Sequence, residues 1–315
     1  MNIGKTERTI LCELDCNSRQ TLASIGKRAR LKKETVHYHI HRLEQAGIIT
    51  GYPAIISLAK QGKIHAELFL RLHNTTTTIK KEMIHAFTKT PEITDIASCK
   101  GTWDLILGFV TNNIYELNTY KNNIFDAYSP YISKSSLSLT METYFFGRKY
   151  LVGKNIHLAQ HIDKPGNETT DELDKNILST IAKNSRQTLT HIAKKTKTTP
   201  KTIAHRLKTM KQNGIIQKYT VALNLKKLGM TTYKLLIRLK NSKHKRTIIE
   251  FFHHQPNTVN VREVLADWNL EPTIEAPSQE QFYSIIEAME EQHGELITTH
   301  TTLMIDHIHK TSYYS

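Results

Sequence analysis

Asn17-Ser18-Arg19-Gln20-Thr21-Leu22 returns as Asn184-Ser185-Arg186-Gln187-Thr188-Leu189, a shift of 167 residues. The same shift carries Gly47-Ile48-Ile49 and Tyr52 onto Gly214-Ile215-Ile216 and Tyr219, Gly62 onto Gly229 and Arg71 onto Arg238. After a slip of two residues the only two tryptophans, Trp103 and Trp268, fall opposite each other. The chain is an internal duplication, and a fold assigned to one copy applies to both.

Each copy opens with three short segments of helical period. Ile10, Leu11 and Leu14, or Ile177, Leu178 and Ile181, face inward on the first. Thr21 and Thr188 are natural N-caps for a second helix burying Leu22 and Ile25, or Leu189 and Ile192. In copy two Thr199 caps the third helix and Pro200 takes its first position, where a missing N–H costs nothing. The third helix buries Val36, Ile40 and Leu43, or Ile203, Leu207 and Met210, and ends at Gly47 or Gly214. Residues 48–52 and 215–219 then read as short strands leading into a wing.

The second part of each copy changes period. Ile64, Ala66, Leu68, Leu70 and Leu72 alternate with polar neighbours, as do Tyr233, Leu235, Ile237 and Leu239. A helix at 79–88, strands at 93–98 and 104–110, a helix through Leu117, Tyr120 and Ile124, and a strand at 133–143 complete a β-α-β-β-α-β order. Helices cover one sheet face and leave the other bare, so the two copies are expected to pair face to face. The fold class is α+β: two winged helix-turn-helix units, 1–60 and 166–228, and two ferredoxin-like sandwich units, 61–165 with the linker and 229–315.

Charge follows this division. The 315 residues carry 43 Lys and Arg against 29 Asp and Glu, a net +14 with the 17 His neutral. Residues 1–60 hold +5 and 171–228 hold +10, whereas 61–165 hold +3 and 229–315 hold −3. A basic excess concentrated in the helical units points to a polyanion, and a third helix exposing Lys and Arg fits a major groove about 12 Å wide. The expected double-stranded DNA contacts are Lys32, Lys33, Thr35, Tyr38, His39 and Arg42 in copy one. In copy two they are Thr199, Lys201, Thr202, His205, Arg206, Lys208 and Lys218. His37 and His41 lie four apart on one helical face, which supplies only two ligands, so no metal is expected. Three cysteines make no disulfide framework, the first five residues lack a signal-like apolar run, and no segment reads as membrane-spanning. A cytoplasmic, nucleoid-associated protein without cofactor is expected.

The helix-turn-helix with Gly-Ile-Ile-x-x-Tyr, followed by a sandwich unit containing Gly101-Thr102-Trp103-Asp104-Leu105, resembles the Lrp/AsnC (feast/famine) transcription regulators. The resemblance implies two subunits fused end to end into an intramolecular pseudo-dimer that could assemble further. It also implies a small-molecule effector, often an amino acid, near Gly101, Trp103 and Asp104. Copy two departs there, with Ala266-Asp267-Trp268-Asn269. The same architecture occurs in siroheme decarboxylases, whose site should gather basic residues and His in the sandwich. With the basic excess in the helical units instead, the chain is expected not to be an enzyme. An interaction scaffold without DNA binding is the remaining alternative.

Overall fold

The computed structural model describes residues 3–152, 161–312 and 314. The first helical unit comprises α1 (Lys5–Cys16), α2 (Leu22–Ala29) and α3 (Lys33–Gln45), followed by β1 (Ile49–Gly51) and β2 (Ala54–Ile56). The Thr21 hydroxyl accepts from the Ser24 N–H at 3.1 Å, capping α2 as its position predicts. Gly47 leaves α3 at φ 63°, letting the Ile48 N–H reach back to the Leu43 carbonyl at 3.0 Å.

The first sandwich unit follows as β3 (Ile64–Leu72), α4 (Thr77–Lys89), β4 (Ile93–Gly101), β5 (Leu105–Thr111), α5 (Ile114–Tyr128) and β6 (Ile132–Phe145), with β7 (His161–Asp163) added on β6. Copy two repeats the order. Its helical unit is α6 (Glu172–Lys183), α7 (Leu189–Lys195), α8 (Pro200–Gln212), β8 (Ile216–Tyr219) and β9 (Ala222–Leu223). Its sandwich unit is β10 (Thr231–Leu239), α9 (Lys245–His254), β11 (Thr258–Leu265), β12 (Leu270–Ala276), α10 (Gln279–His293) and β13 (Ile297–Thr311).

Two features differ from the sequence expectation. The short strands make no wing within their own copy: β1 pairs with β9 and β2 with β8, both antiparallel and both between copies. Strands of two to four residues have too few ladder bonds to hold alone, and the duplicate offers an equivalent partner. Val221 therefore completes the core of the first helical unit, and Ala54 and Ile56 that of the second.

The two bare sheet faces do meet, but the sheets also join at both edges. Strand order runs β11-β12-β10-β13-β4-β5-β3-β6, and β6 pairs back onto β11, closing eight strands into a barrel. Closure satisfies the edge N–H and C=O groups that stacked sheets would leave open. Outside, α4 and α5 cover one half through a core including Leu68, Phe87, Leu107 and Ile124. On the other half α9 and α10 pack through Leu235, Phe252, Ile274 and Phe282. One end of the lumen is filled by Phe69, Cys99, Trp103, Ile106, Leu236, Val264, Trp268 and Leu303. Beyond this apolar plug the lumen is charged.

Candidate nucleic-acid interface

The two helical units are joined at a pseudo-twofold axis. The Ser18 and Ser185 hydroxyls, 167 residues apart, hydrogen-bond at 2.8 Å. Arg19 donates to the Ser185 carbonyl and Arg186 to that of Ser18. Arg19 lies over the Tyr219 ring at 5.6 Å and Arg186 over the Tyr52 ring at 5.2 Å. Together with the crossed strands, these contacts hold α3 and α8 in one body.

On α3, Lys32, Lys33 and His37 are exposed, Thr35 is half-buried, and Tyr38 is 60 % exposed. The His37 and His41 rings stack with centroids 6.5 Å apart. On α8, Thr199, Lys201, His205 and Lys208 are exposed and Thr202 is half-buried. The Thr199 hydroxyl caps α8 by accepting from the Thr202 N–H at 3.2 Å. No acidic residue lies on α8, whereas α3 carries Glu34 and Glu44.

Four expected contacts stand elsewhere. Lys218 is committed to the interior, its ammonium 3.1 Å from the buried carboxylate of Asp15 in the other copy. His39 is half-buried with its Nδ1 turned to Glu7 at 3.6 Å. Arg42 donates through Nε to Glu7 at 3.0 Å, and Arg206 meets Asp171 at 2.7 Å and Asp174 at 3.1 Å. Burial would raise the Glu7 carboxyl, but hydrogen bonds from Arg42 and the Gly4 N–H leave it below its ordinary value. Both arginines thus tie the third helix of their unit to its first, with their charge compensated. Sequence reasoning passed over Lys27, Arg28 and Arg30, and Lys194, Lys195 and Lys197, exposed where α2 and α7 end. Their signal was the 167-residue shift itself, which superposes one basic triplet on the other.

The expected effector turn is tightly built. Gly101 has φ 124°, and a Cβ there would stand 2.7 Å from the Thr302 carbonyl oxygen. The Trp103 indole is 3 % exposed in the lumen plug, 6.0 Å from the Phe69 ring. The Asp104 carboxylate accepts from the Leu72 N–H at 2.9 Å and faces Arg71 at 3.5 Å. In copy two the Asn269 side-chain Oδ1 accepts from the Leu239 N–H at 2.8 Å, so the strand clamp needs an oxygen and not a charge. No helix among the described residues is long and apolar enough to cross a membrane.

The winged helix-turn-helix DNA-binding family matches twice, at residues 4–50 and 170–217. The proline dehydrogenase transcriptional activator of Rhodobacter capsulatus is 28% identical over 141 residues, covering 44% of this chain and 91% of that protein. An uncharacterized HTH-type transcriptional regulator of Pyrococcus furiosus is 30% identical over 116 residues, covering 36% of this chain and 77% of its own. Each relative is thus about the length of one copy. The solved siroheme decarboxylase NirDL has the same architecture over the whole chain, with TM-score 0.65 at 11% identity, covering 98% of this chain and 93% of that one.

The last match corrects the expectation that the chain is not an enzyme, because an enzyme is built on the same fused, duplicated frame. Net charge per unit was a poor ground for that exclusion, since Lys234 and Arg262 sit inside the net-acidic second sandwich unit, facing the barrel interior. The sequence relatives place the chain in a family: it belongs to the HTH-type transcriptional regulators, with the helix-turn-helix and sandwich unit present twice in one polypeptide.

Proposed function

We infer that the protein regulates transcription by gripping a duplex site made of two unlike half-sites. One observation carries this: a mirrored seam fixes α3 and α8 as a pair, while the faces they expose differ in charge and side chain. Lys32, Lys33, Thr35 and Tyr38 would address one half-site, and Thr199, Lys201, Thr202, His205 and Lys208 the other. Exposed lysines supply phosphate contacts and register, while Thr, Tyr and His near the helix starts reach base edges. The chain then works as readers 1–60 and 166–228 carried on barrel halves 61–165 and 229–315. Its place in the cell is on chromosomal DNA. Asp104, whose charge the strand clamp does not require, is the candidate for holding the amino group of a small effector, with Gly101 shaping the turn.

Footprinting on fragments selected from genomic DNA is expected to give two dissimilar half-sites; a palindromic site overturns the assignment. Lys201→Ala and Lys208→Ala should each reduce the slope of log affinity against log salt by about 1. The two changes should lower affinity evenly across sequences.

A second function has one structural feature in its favour beyond the shared frame of NirDL. A cavity of about 510 Å³ between the first linker and the barrel wall is lined by Ile56, Leu58, His65, Phe145, Asn260 and Arg262 among others. Burial, with Arg262 nearby, pushes the His65 imidazole down to about 4, so it is neutral at pH 7. Titration with siroheme, followed in the Soret region, tests tetrapyrrole binding; an unchanged spectrum removes it.

A further inference from the structure

Glu67 and Lys234 are the same position of the duplicated unit, 167 residues apart, and they meet as an ion pair inside the barrel. Their side chains are 10 % and 8 % exposed. Lys234 also reaches Glu271 at 3.1 Å, and Arg262 donates to Glu67 and lies 4.0 Å from Glu271. Glu271 is held further by the Ser138 hydroxyl at 2.6 Å and the Trp268 indole N–H at 2.8 Å. Asp95, in the same lumen, is pushed up to about 6 by burial and by Glu67. Burial alone would raise Glu67 as well, but Arg262 and Lys234 hold it well below the usual carboxylate range.

The contributions of the two halves are opposite. Around this point half one supplies the carboxylates Glu67 and Asp95 and no charged base. Half two supplies Lys234, Arg262 and Glu271. The counterparts of Arg262 and Glu271 in half one, by the tryptophan alignment, are Ala97 and Ile106. Two-fold pairing places a position against itself when a half meets its own kind. Two first halves would bury four carboxylates with no cation, and two second halves would bury two lysines and two arginines against two glutamates. Only the unlike pair is near neutral. The choice matters during synthesis, when a completed first half exposes an apolar sheet face before its partner exists and can meet a first half from another chain.

We propose that Glu67 and Lys234 are the specificity-determining pair that makes each barrel half close only on its opposite. The pair rejects like-with-like assembly of separate chains. It does not discriminate between a partner half in the same chain and the corresponding half of another.

The test uses the full chain. Glu67→Lys and Lys234→Glu each bury like charges and are expected to lower the melting midpoint by about 10 °C. A neutral variant, Glu67→Gln with Lys234→Met, keeps the barrel but removes the choice. Refolded from urea at rising protein concentration and followed by light scattering, the wild type should return to one mass, and the neutral variant to a spread of larger species. The neutral variant returning to the single wild-type mass overturns the proposal, and so do single variants that melt with the wild type.

Discussion

The two seams that join the copies are built on opposite principles. Where the helical units meet, the contacts at the axis have their images 167 residues on: Ser18 with Ser185, Arg19 with Arg186, Tyr52 with Tyr219. Where the barrel halves meet, the images have unlike charge, Glu67 against Lys234. A self-complementary contact holds equally well between any two copies, so it sets geometry without setting identity. Identity has to come from a seam that fails when a half meets its own kind. Geometry for the readers and pairing for the barrel are thus carried by different residues, and each can be broken separately.

The most asymmetric part of the molecule should break hardest. Asp15 is 2 % exposed and accepts from Arg148 at 2.8 Å, Lys218 at 3.1 Å and the Thr220 hydroxyl at 2.9 Å, while Arg148 goes on to Glu275 at 2.9 Å. The matching position in copy two is Ala182, and Lys218 and Thr220 match Gly51 and Pro53. Asp15→Ala therefore strands Lys218 and takes one of its two carboxylates from Arg148, on one side only, and should cost about 3–5 kcal/mol in urea unfolding. Burial alone would raise the Asp15 carboxyl, yet Lys218 and Arg148 hold it well below the ordinary range. A depressed carboxyl contributes stability that is present above its unfolded value, about 4, and lost as the pH falls through the folded one. Asp15→Asn should flatten the acid limb of the stability profile. An unchanged limb would mean that the cluster is not what ties the first reader to the barrel.

Asp95 should act with the opposite sign and a smaller size. Its carboxyl is raised to about 6, so between about pH 4 and 6 the folded protein binds more protons than the unfolded chain. Its contribution is complete below that window and is lost as the pH rises through it. Asp95→Asn should raise stability at pH 7 by about 2 kcal/mol and leave the acid limb set by Asp15 in place. Denaturation midpoints at pH 4 and pH 7 separate the two effects.

Much of this was legible from the chain alone, and the reason is local. Capping threonines, the helix-ending glycines and the change from helical to alternating period act over a few residues, so the element order followed from them. The partners of β1, β2, β8 and β9 were not legible, because strands of two to four residues carry no register signal and pair across about 170 residues. Barrel closure was missed because a bare apolar face announces burial but not what its edges do. In the candidate interface, Lys33, Lys201 and Lys208 lie exposed as helical period requires. Lys218 was misplaced because a basic residue in a short strand looks the same whether it faces solvent or Asp15 of the other copy. For Trp103 the family resemblance implies a ligand, and its packing with Phe69 and Ile106 in the lumen appears only once the sheet has closed.

The mirrored seam makes a prediction of equality. Arg19→Ala and Arg186→Ala each remove a guanidinium that bonds a carbonyl of the other copy and stacks on its tyrosine. Each should cost about 1–2 kcal/mol, and the two should agree within about 1 kcal/mol, Arg19 being the larger for its further bond to the Gln187 carbonyl at 3.2 Å. Chemical denaturation of the two variants side by side measures this. A difference as large as that expected at Asp15 would show that the helical seam, too, is unlike beneath its matching residues.

The smallest effect is expected where the copies differ in charge but agree in bonding. Asp104 and Asn269 both accept a strand N–H, at 2.9 Å from Leu72 and 2.8 Å from Leu239. Asp104→Asn keeps that acceptor and loses only the partly exposed pairing with Arg71, so stability should change by less than about 0.5 kcal/mol. Asp104→Ala removes the acceptor from a half-buried N–H and should cost about 1–2 kcal/mol. If Asp104→Asn is instead as damaging as Asp104→Ala, the carboxylate is part of the hairpin, and copy two must be holding its own turn by other means. If it is silent for stability but alters the response of DNA binding to an amino-acid panel, the charge is free for a ligand and the two turns have parted in function while keeping one geometry.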